Sequence, residues 1–191
     1  MLNWPDATIY QGIADVAADN EETTAMQFEG DITTYEDLIA ESKALAHGFA
    51  DLGIGPEDTI AVWLSNRPEW VKAQLAASYL GATIVAVNTR YRTHELEYMM
   101  SDSSCSVLLT EEAFLGNQYL EMVADVVPEI ETATPEEFAP DSVPSLEHVI
   151  ALDSHDDFPA VRTYEDVEET GRGRDDVSPA TDAETPACVF Y

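Results

Sequence analysis

The feature of this sequence that most constrains its fold is a series of short, continuous apolar runs. Residues 60–64 read Ile-Ala-Val-Trp-Leu, with no alternation between apolar and polar positions. Such a run predicts a strand that is buried on both faces, as the strands of a parallel sheet are. Further strands of this kind are predicted at 84–87, 106–109, 148–152 and 188–191.

Helical patterns lie between these runs. Thr34 can cap the free amides of a helix, and Asp37, three residues later, completes a variant of the capping box. Apolar residues at helical spacing follow as far as Leu52, and Gly53 ends the helix. Other helices are predicted from Pro68 to Gly81, at 94–103 after a Thr93 cap, at about 112–126 and near 163–169. Strands that alternate with helices predict an α/β fold: a mostly parallel sheet flanked by helices and joined by right-handed crossovers.

Length and composition favour one domain. The chain has 191 residues, of which 45% are hydrophobic, enough to form one sizeable core. Two stretches that are rich in acidic residues, Pro and Thr, 128–144 and 153–186, are predicted to be polar loop excursions.

The charge of the chain is strongly negative. It has 38 acidic residues against 8 Lys and Arg, which gives a net charge of −30. Such a surface repels nucleic acid and anionic membranes, so neither is an expected partner. Three interpretations are disorder, a DNA-mimicking or cation-buffering protein, and a halophilic surface adapted to a high-salt cytoplasm. Three Trp, eight Tyr and six Phe argue against disorder, and the even spread of acids along the chain favours the halophilic surface.

The sequence carries no pattern for secretion or membrane insertion. The first ten residues lack a basic region followed by an apolar one. The longest apolar stretch, 75–87, is too short to span a bilayer and contains Gly81. Cys105 and Cys188 lie in apolar runs and are not expected to form a disulfide framework. These features predict a cytoplasmic, reduced protein without a membrane span.

Three stretches of the sequence carry a family resemblance: TTYEDLIAESKALAHGFADLGIGPEDTIAVWLSNRPEW, AASYLGATIVAVNTRY and SVLLT. Together they resemble the adenylate-forming (AMP-binding) enzymes. Thr34 to Leu38 match the family's T-Y-x-E/D-L, and Gly81 to Asn88 match G-A-x-x-x-x-x-N. The resemblance runs from about residue 9 to residue 191, and its character is that of the acyl-CoA synthetases and ligases. It implies the fold of the N-terminal subdomain of an adenylate-forming enzyme.

In this family, a strand such as 187–191 is followed by a phosphate loop of the type TSGTTGxPKG, and the sequence ends before one. The resemblance therefore implies that residues 1–191 are a single partial domain, the N-terminal portion of an ATP-dependent acyl-CoA synthetase. This portion is expected to be inactive alone and to bind no cofactor tightly. For the full-length enzyme the resemblance implies ATP, Mg²⁺, CoA and a carboxylic acid substrate.

The partner implied for this portion is the missing set of C-terminal domains, or a protein that carries them. One alternative is a non-catalytic binding or regulatory module that docks on such a partner. Another is a non-enzymatic acidic protein that mimics nucleic acid.

The sequence lacks the common catalytic motifs. It has no G-x-x-x-x-G-K-[ST] phosphate loop and no G-x-S-x-G nucleophile elbow. His94 and Glu95 resemble the start of H-E-x-x-H, but Tyr98 stands in the position of the second histidine. No catalytic residue and no metal site are therefore predicted. The remaining histidines are scattered along the chain at His47, His148 and His155. The first of them falls on the polar face of its helix and is predicted to be solvated.

One cluster could contact an anionic ligand. Asn88, Arg90 and Arg92 follow the carboxyl end of a predicted strand, where parallel sheets bind their ligands. The functional interpretation is contact with an anion such as a phosphate group of CoA. The structural interpretation, which is favoured, is that Asn88 caps the turn and that the arginines pair with acidic residues.

Overall fold

The computed structural model describes residues 7–153 and 156–191, so His155 and the first six residues lie outside the described ranges. The chain divides into two compact units. The first comprises 1–57, 66–83 and 167–187, and the second comprises 58–65, 84–166 and 188–191. The prediction of one partial domain stays a prediction.

The first unit is built mainly from helices. Its elements are α1 (Ile9–Ala18), β1 (Thr24–Phe28), β2 (Asp31–Thr34), α2 (Tyr35–Asp51), α3 (Pro68–Leu80) and residues 167–171 of α6 (Tyr164–Gly171). Strands β1 and β2 pair in an antiparallel hairpin, and α2 packs against α3. The sequence patterns did not predict α1 or this hairpin.

The predicted capping of α2 is confirmed. The Thr34 hydroxyl accepts a hydrogen bond from the Asp37 backbone N–H at 3.1 Å. The Asp37 carboxylate accepts from the Thr34 N–H at 3.2 Å and from its hydroxyl at 2.7 Å. These bonds lower the pKa of the Asp37 carboxyl. Helix α3 begins at Pro68 and ends just before Gly81, in agreement with the prediction, and Gly81 takes the left-handed conformation that favours glycine there.

The prediction that His47 is solvated is wrong, because this side chain is fully buried. Residues 167–171 cover the face of α2 that looked polar in the sequence. The backbones meet so closely that a Cβ on Gly48 would lie 2.0 Å from the Val167 carbonyl oxygen. A Cβ on Gly171 would lie 2.0 Å from the carbonyl oxygen of Ala44.

The acidic segment that follows α6 is joined to α2 by ion pairs. Lys43 Nζ lies 2.6 Å from Asp175 Oδ1, and the Arg174 guanidinium pairs with both Asp51 and Asp176. This segment belongs to the predicted 153–186 excursion, which also contains the predicted helix as α6.

The second unit contains the sheet. Its strands are β3 (Thr59–Trp63), β4 (Thr83–Ala86), β5 (Val107–Thr110), β8 (His148–Ala151), β9 (Arg162–Thr163) and β10 (Cys188–Phe190). They lie in the order β10-β4-β3-β5-β8-β9, and the registers of β10 with β4, β3 with β5, β5 with β8 and β8 with β9 are all parallel. The predicted α/β class with a mostly parallel sheet flanked by helices is confirmed.

Helices α4 (Thr93–Ser103) and α5 (Tyr119–Val126) pack in the core of this unit. Residues 128–144 are irregular apart from a 3₁₀ helix, Pro128–Glu131. The predicted cap of α4 is one residue off: the cap is Arg92, whose backbone N–H donates to the Glu95 carboxylate at 3.0 Å.

The prediction of a helix over about 112–126 is wrong in its first half. Strands β6 (Ala113–Phe114) and β7 (Asn117–Gln118) form a hairpin before α5 begins. Leu115 and Gly116 join the two strands with positive φ angles of 51° and 81°. Two successive positive φ angles are typical of the tight turn of a two-residue hairpin.

The strand predicted at 188–191 is present as β10, and it pairs in parallel with β4. In residues 1–191 this strand is not buried on both faces, as expected for a portion without the segments that the resemblance implies would cover it. Val189 is 40% exposed and Phe190 is 77% exposed, and β10 lies at one end of the strand order. Both cysteines are free, with Cys105 buried and Cys188 half-buried. None of the helices within the described ranges has the length and apolar content that crossing a membrane requires.

Candidate functional site

The strand order of the sheet identifies the edge at which a ligand would bind. The chain passes from β3 to its neighbour β4 on one side and then to β5 on the other side of β3. In doubly wound sheets, ligands bind beyond the carboxyl ends of the strands, at the point where the strand order reverses. In this chain that point lies between the carboxyl ends of β3 and β5.

A carboxylate of the chain itself lies at this point. Glu111 follows β5 directly, and its Oε1 accepts a hydrogen bond from the Ser65 backbone N–H at 2.6 Å. The Ser65 hydroxyl donates to Glu111 Oε2 at 3.3 Å. Only 7% of Glu111 is exposed. The segment that follows β3 is therefore held to the segment that follows β5 by a nearly buried anion.

Two aromatic side chains hold the segment after β4 in place by hydrogen bonds to its backbone. Trp63 and Tyr119 stack with ring centroids 3.7 Å apart and planes inclined by 13°. The Trp63 indole N–H donates to the Asn88 carbonyl oxygen at 3.1 Å, and the Tyr119 hydroxyl donates to the Thr89 carbonyl oxygen at 2.6 Å. Burial, together with the negative charge of Glu111, raises the pKa of Tyr119 to about 12, so its hydroxyl remains a donor.

The three residues of the predicted anion contact all lie in this segment. Asn88 Oδ1 accepts from the Arg90 backbone N–H at 3.0 Å, so Asn88 organises the turn as its structural interpretation predicted. Arg90 is exposed. The Arg92 guanidinium donates to Asn117 Oδ1, a neutral amide oxygen in β7. The structure thus brings the three residues together at the carboxyl edge of the sheet, and their contact with an anion stays a prediction.

Sequence reasoning missed the residues that build this edge. Trp63 lies in an apolar run, which predicted only that its side chain is part of the core. Glu111 begins the pair Glu111-Glu112 in a chain with many acids, and nothing in its type distinguished it from a solvated carboxylate. Its position directly after a strand that is apolar throughout was the available signal.

The residues that the structure describes include no evident metal-binding site. Among the residues that the structure describes, His, Cys, Asp and Glu side chains form no group of three that could hold a metal ion. We therefore assign no ligand for Mg²⁺ to these residues.

Comparison with known families gives a match over almost the whole chain. The sequence model of a family described as AMP-binding enzyme matches residues 13–191. The chain is 33% identical over 119 residues to YngI of Bacillus subtilis, covering 62% of this chain and 22% of YngI. It is 31% identical over 121 residues to the human mitochondrial medium-chain acyl-CoA ligase ACSF2, covering 63% of this chain and 20% of ACSF2. The chain thus spans about a fifth of the length of the curated relatives it matches.

Solved structures share the fold. The long-chain-fatty-acid-CoA ligase FadD1 from Archaeoglobus fulgidus superposes with a TM-score of 0.75 at 19% identity, covering 100% of this chain and 35% of FadD1. Coronafacic acid ligase from Pectobacterium brasiliense gives a TM-score of 0.78 at 15% identity, covering 96% of this chain and 33% of that enzyme. At these identities the similarity concerns the fold, and it agrees with the N-terminal subdomain expected from the sequence.

Proposed function

Because the chain belongs to the AMP-binding enzyme family, we propose that it is the N-terminal portion of an ATP-dependent acyl-CoA synthetase. The observation that carries this proposal is the family match over residues 13–191, which includes the whole sheet of the second unit. The relatives named above add support, since ACSF2 and FadD1 are both acyl-CoA ligases by name. They give no support to the alternative of a docking or regulatory module.

The reaction proposed for the complete enzyme has two steps. A carboxylate oxygen attacks the α-phosphorus of ATP, which forms an acyl-adenylate and releases pyrophosphate. The CoA thiol then attacks the acyl carbon, which forms the thioester and releases AMP. Because negative charge builds up during phosphoryl transfer, this chemistry needs donors and cations close to the phosphate groups.

The role proposed for this chain is to form one wall of the site. The Trp63–Tyr119 stack and the Glu111–Ser65 hydrogen bonds hold the carboxyl edge of the sheet in place. On this edge the Arg90 and Arg92 guanidinium groups are proposed to meet an anionic group of a substrate such as CoA. The chain spans about a fifth of its curated relatives, so we propose that it does not complete the reaction by itself.

The test is carboxylate-dependent exchange of pyrophosphate into ATP, measured with a panel of fatty and aromatic acids. The purified chain alone is expected to give no exchange above background. Mixed with a separately produced segment that supplies the rest of a related ligase, it is expected to give exchange with at least one acid. Exchange by the chain alone would refute its proposed dependence on other segments. Stable binding of the added segment without any exchange would refute the synthetase assignment.

Matched variants test the proposed anion contact in the same mixture. Arg90→Gln and Arg92→Gln are expected to raise the KM for CoA, with little effect on the exchange step if CoA is the anion. Arg162→Gln is the control, because Arg162 lies in β9 and pairs with Glu136. An equal effect of all three substitutions would count against a specific contact.

A further inference from the structure

Most of the basic side chains of this chain are neutralised by its own carboxylates. Six of the eight Lys and Arg side chains pair with an Asp or Glu, and these are Lys43, Arg67, Lys72, Arg162, Arg172 and Arg174. The other two are Arg90 and Arg92, which lie in the segment that follows β4. In a chain with 38 acidic residues, pairing with a carboxylate is the usual arrangement, and Arg92 departs from it.

The Arg92 guanidinium is bound by the side-chain amide of Asn117. Its Nη1 donates a hydrogen bond to Asn117 Oδ1. An amide oxygen accepts the bond but carries no net charge, so it orients the guanidinium and leaves the positive charge in place. A carboxylate at this position would orient the group as well, but it would also offset the charge and compete with an incoming anion. Glu95 accepts from the Arg92 backbone N–H at 3.0 Å, so the backbone of this residue is held too.

The hairpin of β6 and β7 brings Asn117 to this segment. Asn117 lies in β7 and is half-buried. Two residues later, Tyr119 begins α5, and its hydroxyl donates to the Thr89 carbonyl oxygen at 2.6 Å. Residues 117–119 therefore contact the segment after β4 twice, at a side chain through Asn117 and at the backbone through Tyr119. This double attachment fixes where the guanidinium lies relative to the carboxyl edge of the sheet.

We propose that Asn117 is a positioning residue, which orients the Arg92 guanidinium towards a phosphate group of the substrate and preserves its full charge. The inference rests on the proposed function for the source of that phosphate group, which is CoA. A guanidinium that is oriented before the ligand arrives loses less side-chain entropy on binding. Its remaining N–H groups can still donate to phosphate oxygens. The exposed Arg90, two positions earlier, adds a second cation to the same contact.

The test measures how a phosphate-bearing probe binds to the full chain. The probe is adenosine 3′,5′-bisphosphate, which resembles the nucleotide part of CoA and lacks the thiol, and adenosine is the uncharged comparison. Binding is followed through the arginine side-chain N–H signals in NMR spectra, and Arg92→Gln identifies the signal of that residue. The bisphosphate is expected to shift the Arg92 signal with a Kd on the order of 1–10 mM, and adenosine is expected to leave it unchanged.

Three substitutions separate charge from shape. Asn117→Asp keeps the size of the side chain and replaces the neutral amide by a carboxylate, so it should raise the Kd about fivefold or more. Asn117→Ala removes the contact but adds no charge, and it should raise the Kd about two- to threefold. Gln118→Glu adds the same charge at the exposed neighbour in β7 and is the matched control, with an effect below about twofold.

The order of these effects distinguishes a positioning role from a merely structural one. If Asn117 only supported the fold, the alanine variant would be the more damaging, because it removes more of the side chain. Circular dichroism checks that each variant is folded. If Asn117→Asp does not fold, Asn117→Ala carries the test, and an unchanged Kd in that variant would overturn the proposal.

Two further outcomes would also overturn it. One is an effect of Gln118→Glu as large as that of Asn117→Asp, which would reduce the result to net charge. The other is an Arg92 signal that the bisphosphate does not shift. Failure of the proposed function has a different signature. If pyrophosphate exchange is absent from the mixture of segments while Asn117→Asp still weakens the bisphosphate, the synthetase assignment fails and the role of Asn117 stands. Inorganic pyrophosphate that binds more tightly than the bisphosphate would replace CoA by ATP as the source of the phosphate group.

Discussion

The carboxylate of Glu111 accepts a hydrogen bond from the backbone N–H of Ser65, 46 positions earlier in the chain, at 2.6 Å. The bond joins the carboxyl ends of two neighbouring parallel strands, β3 and β5. It occupies the point at which the strand order reverses, so the chain supplies its own anion where a doubly wound sheet receives a ligand.

Removing this carboxylate should loosen that edge of the sheet. Glu111→Ala leaves the Ser65 N–H without its charged acceptor, and hydrogen bonds to charged groups contribute about 1.5–3 kcal/mol. We expect the free energy of unfolding in urea to fall by about 2 kcal/mol and the Ser65 amide to lose hydrogen-exchange protection. Glu97→Ala, at an exposed position in α4, is the control and should change stability by less than about 0.5 kcal/mol. Equal losses in the two variants would contradict the assigned role.

The Trp63–Tyr119 stack and the Tyr119 hydroxyl contribute separately to the free energy of unfolding. Tyr119→Phe keeps the ring and removes the bond to the Thr89 carbonyl oxygen, which should cost about 1 kcal/mol. Tyr119→Leu also removes the stacked ring from a fully buried position and should cost about 3 kcal/mol. Urea unfolding measures both values. If the phenylalanine variant were as unstable as the leucine variant, the stack would contribute little.

The close approach at Gly48 reverses the usual effect of alanine in a helix. Alanine is normally about 1 kcal/mol more favourable than glycine inside a helix. At Gly48, however, the new Cβ would lie 2.0 Å from the Val167 carbonyl oxygen, so neighbouring backbone must move. Overpacking of this kind costs about 1–3 kcal/mol, and we expect Gly48→Ala to lower the melting temperature. Gly55→Ala is the control, because its Cβ would meet nothing within 4 Å. A Gly48→Ala variant more stable than the parent would show that α2 and residues 167–171 pack less closely than the structure indicates.

The ion pair of Arg174 with Asp176 should contribute to the acid sensitivity of the fold. The hydrogen bond from Arg174 lowers the pKa of the Asp176 carboxyl to about 2. An unfolded chain has an aspartate pKa of about 3.9, so this contribution is complete above about pH 5 and is lost as the pH falls towards 2. Asp176→Asn should therefore reduce stability at pH 7, and the difference from the parent should shrink between pH 4 and pH 2.

Asp15→Asn, at an exposed position in α1, is the matched control for this pH series. It removes one negative charge without touching the Arg174 pair. A stability difference for Asp176→Asn that stays constant from pH 7 to pH 2 would rule out the linkage to the carboxyl group.

The net charge predicts that the stability of the fold depends strongly on salt concentration. At 0.1 M ionic strength the screening length is about 10 Å, and at 1 M it is about 3 Å. Repulsion among 38 acidic side chains should therefore weaken between these conditions, and the melting temperature followed by circular dichroism should rise with KCl. Isomolar sucrose is the uncharged control for general solute effects. Equal stability in dilute buffer and molar KCl would count against the halophilic interpretation.

The elements that the sequence predicted are those set by local rules. The run at 60–64 was apolar at every position, and it forms β3 within one residue of the predicted limits. Thr34 and Asp37 stand three residues apart, a spacing that produces the same capping box wherever a helix starts. In each case the residue types alone select the local conformation.

Some of the features that the sequence did not predict depend on contacts between distant residues. His47 looked solvated because its own helix gives no sign that residues 167–171 lie over it. Glu111 and Ser65 meet only because β3 and β5 are neighbours, which a single sequence does not reveal. The hairpin at Leu115 and Gly116 is different, since Gly116 and Asn117 are local turn residues within the stretch that was predicted to be helical.

The pairing of β10 with β4 has a consequence for how the protein folds as it is made. It joins Cys188 to Ile84, about a hundred positions apart, whereas β5 and β8 join residues about forty positions apart. Contacts between such distant segments form late, because a longer loop must close first. During synthesis on the ribosome, one edge of β4 therefore stays unpaired until β10 has been made. In the finished sheet, Ile84 and Val85 of this strand are almost fully buried. Residues 84–87 are thus an apolar strand whose exposed edge in the nascent chain can pair with another chain until β10 has been made.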